Sequence, residues 1–157
     1  MTKQNTVYFA CSWFSEEEQK YMEQGQKAIS ANPTVNWPDS YRPLDHQFKN
    51  IDVVKHPEAL SDPLWQIGTF QNDITGIDKS DIICGLFLPH RADPGMSFEY
   101  GYAYATHKPI VSVIPDNSKA EINLMLIPSV TSYITISELA TFDFNQLEYN
   151  IRPLTAY

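Results

Sequence analysis

Two apolar runs place the tightest constraint on the fold. "DIICGLFLP" (81–89) and "KPIVSVIP" (108–115) are almost free of polar residues, and each is too short for a full helix. A strand with one wet face alternates polar and apolar residues. An unbroken run instead signals a strand buried on both faces, as in a parallel sheet covered by helices. "TVYFACS" (6–12) and "SYITIS" (132–137) supply a first and a last strand of similar character. Helix signals lie between these runs. "SEEEQKYMEQGQKAISANP" opens with Ser15 and Glu18 at capping-box spacing and closes on Pro33. Segment 61–80 has Pro63 near its first turn and sets Trp65, Thr69, Asn72 and Gly76 along one face. A third helix is expected at roughly 97–107, with Ser97 or Gly95 near its cap. Strands alternating with helices predict one α/β domain over 1–157 with a mostly parallel sheet. Residues 33–60 are polar, rich in proline and irregular; a loop of that length is expected to be functional or disordered.

Composition narrows the function. With 43% apolar and 19% charged residues, the chain reads as globular rather than disordered. A formal charge of −8 argues against nucleic-acid polymers and anionic membrane surfaces, yet permits a neutral ligand such as a sugar or nucleoside. No apolar run reaches the length of a membrane span, and "MTKQNTVYFACSWF" reads as a first strand rather than a signal peptide. Cys11 and Cys84 are expected to be free thiols of a cytoplasmic protein. His46, His56, His90 and His107 show no ligand spacing, and neither HExxH nor CxxC occurs, so no metal site is expected.

In sheets of this kind ligands sit beyond the carboxyl ends of the strands, here "YFACSW", "FLPHRADPG" and "VIPDN". Neither GxGxxG nor GxxxxGK[ST] is present, which disfavours a dinucleotide or nucleoside triphosphate cofactor. What remains at that edge is acidic and aromatic. Glu99 is expected in the first helical turn, where backbone N–H groups favour an ionised carboxylate suited to a nucleophile. Asp93 faces the same rim and Asp73 lies on the preceding helix. Two acids with aromatic walls are equipment for cleaving a glycosidic bond through an oxocarbenium-like transition state. Each residue also has a plain structural reading. Glu99 could merely stabilise its helix, Tyr8 fill the core, Trp13 staple the next helix, Asp73 face solvent, and Met125 pack. Asn123 could make a local turn, and Tyr100, Tyr102 and Tyr104 cannot all face one pocket from a helix.

The ordered set "VYFACSWF", "NPT", "YRPLDHQFKN", "HPEALSDPLW", "QNDITGID", "PGMSFEYGYA", "KPIVSVIPD", "INLM", "FDFN" and a terminal tyrosine resembles the nucleoside 2-deoxyribosyltransferases. These are bacterial enzymes that exchange bases between 2'-deoxynucleosides. The resemblance runs nearly end to end. It implies a flavodoxin-like, doubly wound, five-stranded parallel sheet flanked by helices. It also implies double displacement without a cofactor, with 2'-deoxynucleosides and free nucleobases as partners. The implied assembly is a homo-oligomer, a hexamer built as a trimer of dimers or a dimer, with sites shared between subunits. Carried over by position, Glu99 matches the nucleophile that holds a deoxyribosyl ester, and Tyr8 the tyrosine that orients it. Asp73 matches the acid that protonates the departing base. Asp93 matches an aspartate near the sugar hydroxyls and base, Gln47 a base-contacting glutamine and Trp13 a stacking wall. Asn123 and Met125 match residues reaching in from a neighbouring subunit, and Tyr157 a C-terminus that completes the neighbour's site. The first loop departs from the family. It reads "ACS" where glycine-containing turns are common, so Cys11 and Ser12 reshape the base pocket. "MSFEYG" mixes features of the purine-only and broad-specificity classes, while the length and terminal "AY" lean toward the broad class. Two rival readings are a hydrolase of the same superfamily and a non-catalytic nucleoside-binding module.

Overall fold

The computed structural model describes residues 3–119, 121–150 and 152–157. Its centre is a parallel sheet of four strands in the order β1-β2-β3-β4: β1 Val7–Ala10, β2 Ile82–Leu86, β3 Ile110–Ile114 and β4 Ser132–Thr135. All residues of β1, β2 and β3 are buried, the outcome that the apolar runs predict.

Period-two alternation divides the strand side chains between two cores. On one face Val7, Phe9, Cys84, Leu86, Val111 and Val113 meet α1 (Glu16–Ser30) through Tyr21 and Ile29. On the other, Tyr8, Ala10, Ile83, Ile110 and Ile114 meet α2 (Pro63–Lys79) through Ile77 and α3 (Pro94–Ala105) through Met96, Tyr100 and Ala103. The α1 face repeats at Glu18, Tyr21, Gly25 and Ile29, spacings of three and four that keep one side of a helix inward. Ser15 caps it by accepting from the Glu18 N–H, and its own hydroxyl donates to the Glu18 carboxylate.

The expected fifth strand is present only in fragments. Residues 34–41 run parallel to β1 and the residues just before it, but pair at only two isolated bridges, Asn5 with Val35 and Tyr8 with Tyr41. The stretch between them includes Pro38, which has no N–H to donate to a ladder. Counting this broken edge segment, the chain moves one way from β1 and the other way to β2, the doubly wound order with its switch point at β1. The rest of 33–60 is ordered. It forms turns at Pro43–Asp45, Phe48–Asn50 and Pro57–Ser61 over a small core of Val53, Ala59 and Trp65.

The start of α3 corrects the expected cap. Asp93 is the N-cap, accepting from Gly95 N–H at 2.8 Å, and Pro94 opens the helix where its missing N–H costs nothing. Glu99 therefore lies in the second turn, beyond the free N–H groups of the first.

Candidate active site

Three elements converge on Glu99. Tyr8 points from β1 toward α3, and its hydroxyl donates to Glu99 Oε1 at 2.6 Å. Tyr41, on the broken edge segment, stacks on Tyr8 with ring centroids 5.4 Å apart and planes 9° apart. The Tyr41 hydroxyl donates to Asp73 Oδ1, on α2, at 3.2 Å. Beyond the β1 end, the Ser12 hydroxyl donates to Asp93 Oδ2 at 2.8 Å, so both oxygens of that carboxylate are engaged. Tyr8, Asp73, Asp93 and Glu99 thus form one acidic cluster at the switch point.

Burial sets the protonation of this cluster. Glu99 is pushed up to about 8, chiefly by loss of solvent, with Asp73 and Asp93 adding repulsion and the Tyr8 hydrogen bond opposing the rise. Asp73 is pushed up to about 6 by burial, against the Tyr41 hydrogen bond. This overturns the expectation of a Glu99 held ionised by its helix, because the desolvated second turn outweighs the helix dipole. Between about 6 and 8 the pair shares one proton. In the free protein that proton rests mainly on Glu99, the carboxyl of higher proton affinity. Burial and the nearby Glu99 charge raise the Tyr8 phenol, which therefore stays a donor throughout. Burial, with added repulsion from Glu99 and Asp93, pushes the Cys11 thiol up to about 12 and keeps it neutral.

The remaining sequence candidates are placed differently. Trp13 stacks on Phe14 and packs against the Val53, Ala59 and Trp65 core. Gln47 is buried, and its amide is spent on the loop itself: Oε1 accepts from Val53 N–H at 2.8 Å and Nε2 donates to the Leu44 carbonyl. Asn123, Met125 and Tyr157 lie together and exposed. Asn123 Oδ1 accepts from Met125 N–H, and the Leu124 N–H donates to the Tyr157 carbonyl. Among the described residues, none of these three hydrogen-bonds to the Glu99 cluster. Cys11 and Cys84 are free thiols. Among the described residues no helix is long and apolar enough to cross a membrane. Tyr41 was not singled out by sequence. It sits in an irregular stretch with no periodic signal, within the motif "YRPLDHQFKN".

A doubly wound parallel sheet with two carboxyls of raised, separated proton affinity at its switch point defines a class: a small α/β enzyme whose chemistry runs on carboxylates. Residues 7–146 match the sequence profile of the nucleoside 2-deoxyribosyltransferases, and the chain belongs to that family. A nucleoside deoxyribosyltransferase of Lactobacillus leichmannii is 37% identical over 97% of this chain and 98% of its own length. One from Lactobacillus johnsonii is 42% identical over 92% of this chain and 98% of its own. Among solved structures, a 2-deoxyribosyltransferase of Bacillus psychrosaccharolyticus superposes with a TM-score of 0.76 at 22% identity. The match covers 94% of this chain and 98% of that one, and it establishes a common fold.

Proposed function

We propose that this enzyme moves a 2'-deoxyribosyl group between purine or pyrimidine bases by double displacement at Glu99. The observation that carries the reading is the 2.6 Å hydrogen bond from Tyr8 to Glu99 Oε1, which engages one oxygen and leaves Oε2 to attack. The reactive form is the one in which the proton shared by the pair has passed from Glu99 to Asp73. Ionised Glu99 then attacks C1' of a deoxynucleoside, the C1'–N bond breaks, and its electron pair leaves with the base, which takes the proton from Asp73. The product is a glutamyl-deoxyribosyl ester. A second base then gives its proton to Asp73 and attacks C1', returning the electron pair to Glu99. Inversion happens twice, so the β-configuration is retained. Asp93, and Asp73 as it gives up its proton, add negative charge near the developing oxocarbenium ion, where a water-poor site strengthens their effect. A 2'-hydroxyl would withdraw electrons from that cation and crowd the carboxylate, which favours 2'-deoxyribose.

Asn123, Met125 and Tyr157 are assigned to the site of a neighbouring copy in a homo-oligomer. Their exposure and their distance in the hydrogen-bond network from the Glu99 of the same chain support that role. Gln47 and Trp13 are assigned to the base side. For Gln47 this requires its loop bonds to be exchanged for base contacts when substrate binds.

The test is to quench the enzyme with thymidine in the absence of acceptor base and map its mass. One added deoxyribosyl group on the peptide containing Glu99, absent in Glu99→Ala, is the expected result. An unmodified peptide with exchange still proceeding rules out the ester. Rapid release of free deoxyribose, with no exchange when adenine is added, indicates a hydrolase instead.

A further inference from the structure

Tyr41 is placed with more care than a packing residue needs. Its backbone makes both hydrogen bonds of the Tyr8 bridge, Tyr41 N–H to the Val7 carbonyl at 2.8 Å and Phe9 N–H to the Tyr41 carbonyl at 2.9 Å. One ring face lies on Tyr8, and the ring also stacks on His46, 4.3 Å away and 18° from parallel. The ring also lies against Gly76, where a Cβ would fall 2.6 Å from three of its carbons. Everything about the ring is fixed, and its hydroxyl is aimed at Asp73 Oδ1. Asp73 Oδ2 has no hydrogen-bond partner among the described residues.

We infer that Tyr41 is a positioning residue for proton transfer: it occupies Asp73 Oδ1, so that Oδ2 alone exchanges the proton with the nucleobase. The inference rests on the reading of Asp73 as proton carrier. Its structural consequence is that one stacked unit serves both carboxyls. Tyr8 holds an oxygen of Glu99, Tyr41 holds an oxygen of Asp73, and the bridge between their backbones sets the spacing of the two. A donor to a carboxylate favours its ionised form, so Tyr41 also holds the Asp73 proton affinity down against burial. The groups facing Asp73 are Tyr41 from the edge segment, Tyr8 from β1 and Glu99 from α3, with His46 behind the Tyr41 ring.

The experiment is the pH profile of kcat/KM for adenine as acceptor with thymidine in excess, which reports the half-reaction in which Asp73 must be ionised to take the proton of the incoming base. The wild-type acidic limb is expected near 6, from Asp73. Tyr41→Phe keeps both stacks and removes only the donor; its acidic limb moves up by about one pH unit. Incorporating 3-fluorotyrosine at position 41, a stronger donor of nearly the same shape, moves the limb down. Carboxylate titration by 13C NMR follows the same shifts directly, even in a variant too slow to assay. A uniform loss of rate with an unmoved limb, or a profile identical to wild type, overturns the inference. Asp73→Asn separates the two readings. If its acidic limb persists, Asp73 is not the proton carrier. If the limb vanishes there but stays fixed in Tyr41→Phe, only the role of Tyr41 fails.

Discussion

Glu99 illustrates the conflict between reactivity and stability within one side chain. Burial that raises its proton affinity to about 8 makes the ionised form a destabilising guest of the folded protein. In an unfolded chain the same carboxyl titrates near its ordinary value of 4.5. The folded value is the higher one, so the folded state binds the proton more tightly. The associated stability is complete below about 4.5 and is lost as pH rises toward and through about 8. Glu99→Gln mimics the neutral form at every pH and leaves the carbonyl able to accept from Tyr8. Its melting temperature should match wild type near pH 4.5 and exceed it increasingly toward pH 8.5, while exchange activity disappears. Calorimetry across that range is the check; an equal effect at both ends would mean that the Glu99 charge carries no such cost. None of this was legible in the sequence, which marks an acid near a helix start but not how deeply the second turn is buried.

Elements were legible in proportion to how strongly their neighbours dictate them. The unbroken apolar runs gave β2 and β3 because only a strand covered on both faces tolerates such a composition. The edge segment escaped because a strand broken by Pro38 has no alternation to read. Both α2 and α3 begin with the same device, an aspartate before a proline: Asp62 accepts from Leu64 N–H and Asp93 from Gly95 N–H. In the first case Pro63 marks the start from sequence; in the second, Ser97 and Gly95 compete for attention with the true cap. Later in α3, Gly101 is exposed and a Cβ there would meet nothing within 4 Å. A glycine inside a helix weakens it, so Gly101→Ala should stabilise an isolated chain by about 0.5–1 kcal/mol. Urea denaturation under monomeric conditions measures this. A loss of stability there would mean that α3 is held by something other than its own helical preference.

At the scale of the whole molecule, the exposed apolar side chains are unevenly distributed. Leu64, Ile67 and Phe70 of α2 and Phe98 of α3 are all more than half exposed, and Phe70 and Phe98 touch with centroids 5.7 Å apart. Met125 and Tyr157 are exposed as well, at 77% and 64%. Patches of this kind mark association surfaces, in keeping with the assignment of Asn123 and Met125 to a neighbour's site. A mixing experiment tests that assignment. Glu99→Ala chains and chains carrying Asn123→Ala with Met125→Ala, each severely impaired alone, are dissociated together and reassembled. If sites are shared within pairs, random reassortment gives roughly a quarter of wild-type activity, because half the pairs are mixed and each of these holds one intact site. Activity no greater than that of the separate preparations would place every functional residue within one chain.

The interrupted edge beside β1 has a bearing on how such an assembly can be built. A continuous outer strand would offer a row of main-chain donors and acceptors to any other chain in extended form. Here that row is broken near Pro38, and at the opposite side of the sheet Asn150 already bridges to Ser132 of β4. Both sides of the sheet thus offer a shortened run of free main-chain groups to an incoming strand. A proposed homo-oligomer would then be joined through side chains, whose fit is selective and whose number of partners is finite, so the same proline that spoils a strand favours a closed particle over a fibre.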